Sequence, residues 1–86
     1  MRILELRQII RTEEGLYYRR KFSAEAAIET PVAVLELPIH FTIEMGPLGN
    51  KEFDIDFLKK PDYPLLPIQK ALKKKIEELD KEGKLP

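Results

Sequence analysis

The chain has one histidine, His40, and it sits where apolar and polar residues alternate. Between Pro31 and Met45 the odd positions hold Ala33, Leu35, Leu37, Ile39, Phe41, Ile43 and Met45, with Glu36, His40, Thr42 and Glu44 among the even ones. After residues 46–50 the odd set resumes as Phe53, Ile55 and Phe57, with Glu52, Asp54 and Asp56 between. Strand side chains alternate between faces, so this pattern describes a hairpin with one apolar and one wet face. A loop centred on Leu48 sets His40 opposite Asp56. On the wet face such a pair can serve as a pH-sensitive contact. The plainer reading is a surface histidine balanced by a carboxylate. A general base needs a nucleophile or polar substrate group within reach, and the sequence shows none beside it.

Glu44, Glu52, Asp54 and Asp56 share that wet face in the same register. Carboxylates at such spacing suit a hard cation such as Ca²⁺ or Mg²⁺, but no loop motif holds an ion there. The alternative is pairing with Arg7, Arg11, Arg19 or Lys21 on a neighbouring strand or subunit, which is ordinary cross-strand chemistry. Arg7, Arg11, Tyr17, Arg19 and Lys21 form a second candidate surface. Cations flanking a ring on a sheet can hold single-stranded nucleic acid by phosphate contacts and base stacking. A sequence pI near 6.6 argues against this, since charge-driven binders are strongly basic. Lys73, Lys74 and Lys75 read as a solvated helix side, with the Lys75 stem along apolar neighbours. Residues 46–50, GPLGN, form a turn and lack the strand–loop–helix setting of a phosphate loop. Leu48 is then an exposed apolar tip, and Tyr63 a loop lid over the core.

The chain has no cysteine, which removes disulfides, thiolate zinc sites and cysteine nucleophiles. With one histidine, one serine and no metal-ligand cluster of common spacing, an enzyme is the least expected class. No cofactor is implied. No run approaches a membrane span, and the N-terminus lacks a signal-peptide pattern, so the expectation is a cytoplasmic protein without a membrane partner.

These residues must be positioned by a small number of elements. Residues 2–12 and 16–24 read as a first hairpin around a turn at residues 12–15. One register pairs Leu6 with Phe22 and Ile10 with Tyr18. Leu4, Leu6, Ile10, Leu16, Tyr18 and Phe22 then share a face, opposite Arg7, Ile9, Arg11, Tyr17, Arg19 and Lys21. A slip by one residue would exchange the sets. Residues 23–30, SAEAAIET, suit either one helical turn capped by Ser23 or more strand, and are expected to form a short, partly irregular connection. Strand 32–45 should bend at Pro38, which cannot donate to a ladder, and so join the first hairpin to strand 51–58. Leu65, Ile68, Leu72, Ile76 and Leu79 recur at helical spacing, giving an amphipathic helix over about 65–82 after the prolines at 61, 64 and 67. Gly83 suits the helix end, with Leu85 folding back on Leu79. The expected fold is α+β, a curved four-stranded antiparallel sheet with one C-terminal helix on one face, in a single domain over residues 1–86.

Eighty-six residues can bury one core, about 60–65% of the unfolded surface. Without staples, stability must come from packing, helped by oligomerisation. Charged residues make up 35% of the chain, a composition common in proteins from hot environments. The net charge is zero but segregated: +3 over residues 1–24, −6 over 25–58 and +3 over 59–86. Two function classes follow. A module that self-associates, as a homodimer or with another protein, can set basic on acidic surfaces across a two-fold axis. The alternative is a small single-stranded nucleic-acid-binding domain. Four strands followed by a helix resembles the element order of Whirly-like single-strand binders, a likeness of topology that implies nucleic-acid binding only by analogy.

Overall fold

A computed structural model describes residues 1–13 and 17–86. The elements run β1 (Arg2–Glu13), β2 (Arg19–Glu29), β3 (Val34–Met45), β4 (Lys51–Phe57) and α1 (Leu65–Lys81). The strands form one antiparallel sheet in chain order β1-β2-β3-β4, open at both edges, and α1 packs on one face. This is the α+β arrangement that the residue pattern predicts.

Loop length fixes the second hairpin. The Gly46 N–H donates to the Asn50 carbonyl at 2.8 Å, and the Gly49 N–H to the Gly46 carbonyl at 3.0 Å. Pro47 suits the first corner of such a turn, and Gly49 supplies the left-handed φ of 84° that closes a three-residue loop. The ladder that follows sets His40 opposite Asp56, Thr42 opposite Asp54 and Glu44 opposite Glu52.

Pro38 does not bend β3. The β2–β3 ladder runs from Arg19↔Glu44 to Glu29↔Val34 without a register shift. The reason lies in the alternation of antiparallel pairs. The Met45 N–H bonds the Tyr18 carbonyl, so odd positions of β3 are the ones that bond β2. Pro38 is even, and its ring nitrogen faces the β4 side. There the Leu58 N–H still donates to the Pro38 carbonyl at 3.1 Å, and strand pairing with β4 begins one residue later, at Ile39↔Phe57. Proline thus ends the β3–β4 ladder and leaves β3 straight. β2 accordingly pairs along all of β3, and β4 along its second half only.

Two further expectations are corrected. Residues 23–29 are strand, not a connection. Phe22, Ala24, Ala26 and Ile28 continue the period of two, and the unbroken β3 offers a ladder partner to each. The first hairpin pairs Leu6 with Ala26 and Ile10 with Ser23, not with Phe22 and Tyr18. Register shifts at three places, between Ile3/Glu5, Arg7/Ile10 and Arg11/Glu13, put extra residues into β1. Each is a bulge that re-aims the side chains beyond it. Gln8, in the second, has φ 53°. Ile3, Leu6 and Ile9 therefore reach the core at a spacing of three, while Ile10 is exposed. The turn predicted at residues 12–15 lies outside the described residues at Glu14 and Gly15, whereas Thr12 and Glu13 belong to β1.

The core joins Phe22, Ala24, Ala26 and Ile28 of β2 with Leu37, Ile39, Phe41 and Ile43 of β3, Ile55 of β4, and Ile68, Leu72 and Ile76 of α1. Tyr63 closes over it, and Leu85 returns from the C-terminus to pack against it. The helix ends where Gly83 takes φ 67°. The Lys84 N–H then reaches the Leu79 carbonyl at 2.9 Å, and the Gly83 N–H the Asp80 carbonyl at 3.1 Å. This reversal satisfies carbonyls the helix would leave open. Gly83→Ala has open space for its methyl, so its cost is conformational, about 1 kcal/mol. A lowered urea midpoint with unchanged slope is the expected result.

Candidate interaction surfaces

The face of the sheet away from α1 is uncovered and carries most of the charge. Its cations are largely engaged inside the chain. Arg7 bonds Glu36 and lies 3.3 Å from Glu5. Arg19 lies 3.6 Å from Glu44, and Arg2 lies 3.3 Å from Glu29. Such exposed pairs contribute at most about 1 kcal/mol each. Lys21 is half-buried opposite Thr42. Arg11 stands opposite Phe22, in the column on the helix side, and Tyr17 is at the loop tip. The five residues read as one basic face are thus divided among three locations.

Glu52, Asp54 and Asp56 line the outer side of β4, and none has an ion-pair partner among the described residues. Glu52 faces Glu44, a like-charge cross-strand pair. No group of three potential metal ligands converges among the described residues. Register does bring together a row that sequence reasoning missed. Ser23, the only serine, is opposite His40, which is opposite Asp56. No hydrogen bond joins the three, and acyl transfer needs a bonded hydroxyl–imidazole pair plus donors aimed at an oxyanion.

On the helix side, Asp80 is the charged group most removed from water. It continues the spacing of four from Ile68, Leu72 and Ile76, so the apolar stripe of α1 ends in a carboxylate. Its side chain is 8% exposed and accepts bonds from Arg20 Nη1 at 2.9 Å and Lys51 Nζ at 2.7 Å. The Arg20 hydrogen bond, helped by Lys51, outweighs desolvation and holds the Asp80 carboxyl below its ordinary range. The cluster pins the last turns of α1 to β2 and β4. A carboxylate at the next stripe position was the available sequence signal.

Apolar exposure is gathered at the two ends. The molecule measures 42 × 22 × 22 Å, and the eleven residues of β2, about 36 Å extended, run along its long axis. At one end, the β2–β3 turn exposes four consecutive apolar residues: Pro31, Val32, Ala33 and Val34. Val32 is 92% exposed. The turn is held by buried Thr30, whose N–H and Oγ1–H both donate to the Ala33 carbonyl at 2.8 Å, while its Oγ1 accepts from the Ala33 N–H at 3.1 Å. At the other end Tyr17 and Leu48 are each 95% exposed, with Tyr18 and Met45 half exposed. The Met45 N–H bonds the Tyr18 carbonyl at 2.8 Å, tying the two loops together. Between them lies a cavity of about 310 Å³ lined by Tyr17, Tyr18, Met45, Gly46 and Pro47. The Tyr17 and Tyr18 rings meet edge to face, 5.9 Å between centroids. Leu48 was legible as an exposed tip. Residues 31–34 were read only as the start of a strand, although four apolar residues in a row break its alternation.

No helix of the described residues is long and apolar enough to cross a membrane. No curated protein and no solved structure matches the chain. Residues 1–81 match one protein family, which is designated by a locus tag and not by an activity, and the chain belongs to that family.

Proposed function

We propose that this protein is a small, non-catalytic interaction module that self-associates through its ends. The observation that carries the reading is the exposed run of Pro31, Val32, Ala33 and Val34 on a turn made rigid by Thr30. Consecutive apolar residues held in water are a liability unless a partner covers them. The second end, with Tyr17, Tyr18, Met45 and Leu48, supplies apolar surface of matching kind. Charge favours the ends over the faces. Arg7 and Arg19 already meet Glu36 and Glu44, so a face-to-face homodimer has few cations left for the carboxylate row of β4. Two copies of that row repel each other. The same engagement weakens the nucleic-acid reading, because phosphate contacts would compete with built-in carboxylates.

Sedimentation velocity over a wide concentration range, at low and high salt, tests this. The expected result is a mass that rises with concentration and persists in high salt, because apolar burial is not screened as ion pairing is. A monomer at every concentration overturns self-association. Association abolished by salt would point to charged faces instead of apolar ends.

A further inference from the structure

The two apolar ends differ in shape, and the difference dictates how copies would meet. One is a protrusion. The β2–β3 turn projects Val32 from a backbone fixed by three hydrogen bonds between Thr30 and Ala33. The other is a recess, the cavity between Tyr17, Tyr18, Met45 and Pro47. A knob cannot seat on a knob, nor a recess on a recess. We propose that the recess receives Val32 of a second copy, so that the protein stacks head to tail along its strand axis. The proposal rests on self-association through the ends and adds its geometry.

Three features support a second copy as the occupant. The knob is preorganised, so seating it costs little ordering of the turn. The recess is walled by aromatic rings, a proline and a methionine, surfaces that accept a branched aliphatic side chain. The partner end is present on every molecule, so no other chain is required. A knob and a recess on opposite ends make a heterologous contact, which does not close on itself as a two-fold contact does. Copies related this way continue in a row with a repeat near the 42 Å length of the molecule. Each end is 22 Å across in both directions, so a contact confined to it buries at most about 1,000 Å² in total. That is the low end for specific interfaces, so the rows should be short and concentration-dependent.

The test uses two variants at exposed positions, Val32→Asp and Tyr17→Asp, in high salt, with sedimentation velocity as the readout. Each side chain is more than nine-tenths exposed, and an unchanged thermal midpoint verifies that each variant folds. Each variant alone should lose the concentration-dependent growth of the parent. Val32→Asp keeps an intact recess and Tyr17→Asp an intact knob, so their mixture should form a one-to-one pair that grows no further. That capped pair is the signature of a head-to-tail contact. If the parent associates and both variants associate equally well, the knob-and-recess geometry is overturned while self-association stands. If both variants fail alone and their mixture also stays monomeric, each end touches its own kind, and the head-to-tail arrangement is overturned. A parent that never associates removes both readings.

Discussion

Phe41→Ala is expected to destabilise the protein by about 3–5 kcal/mol. Phe41 is 1% exposed, and its ring stacks on Phe22 with centroids 4.8 Å apart and planes 19° from parallel. It stands opposite Phe22 on β2 and Ile55 on β4, so truncation opens a void between three strands beneath the helix. Collapse cannot fill it cheaply, because both neighbours are held in register by ladders. A domain of this size has a total stability of about 4–13 kcal/mol, so the variant should be at or near the edge of folding. Urea unfolding measures it, as a large fall in midpoint with an unchanged slope. A loss under about 1 kcal/mol would mean that the sheet does not pack around this ring pair.

Asp80→Asn is expected to cost about 1.5–3 kcal/mol at neutral pH, the range for hydrogen bonds to charged groups in partly buried sites. The substitution keeps the shape but leaves Arg20 and Lys51 close together without their anion. The carboxyl is held below its ordinary value of 3.8, chiefly by the Arg20 hydrogen bond. The folded protein therefore binds that proton less readily than the unfolded chain does. The resulting stabilisation is complete above about pH 4 and is lost as pH falls through the lowered value. Stability of the parent should decline in that acid window, that of Asp80→Asn should decline less, and the two curves should converge. Parallel curves across the window would show that the cluster does not latch the helix.

How much of this could be read from the residues varies by element. The second hairpin was fully legible, because alternation set its faces and a five-residue turn sequence set its register, including His40 opposite Asp56. The helix was legible because its apolar spacing, its leading prolines and Gly83 agree. The first hairpin was not. Alternation is a reliable guide only while each residue opposes one partner, and the three bulges of β1 change which face follows. Nothing in RILELRQIIRTE marks Gln8 as the residue with a left-handed φ. Pro38 misled for a related reason. Its missing donor matters only on the side where it points, and that side depends on the strand order. The candidate surfaces were half visible. The carboxylates of β4 and the tip at Leu48 follow from pattern. The meeting of Asp80 with Arg20 and Lys51, sixty and twenty-nine positions away, depends on how the helix lies on the sheet.

The breaks in β1 also bear on aggregation. β1 is an edge strand, and an unbroken edge is a template on which a foreign strand can add and continue into a fibril. Three bulges divide its free N–H and C=O groups into segments that no regular strand can match in register. The opposite edge, β4, presents Glu52, Asp54 and Asp56 along one side. Lateral growth of the sheet is thus obstructed on both margins. A chain with apolar ends can then meet its own kind lengthwise without being drawn into an endless cross-strand stack.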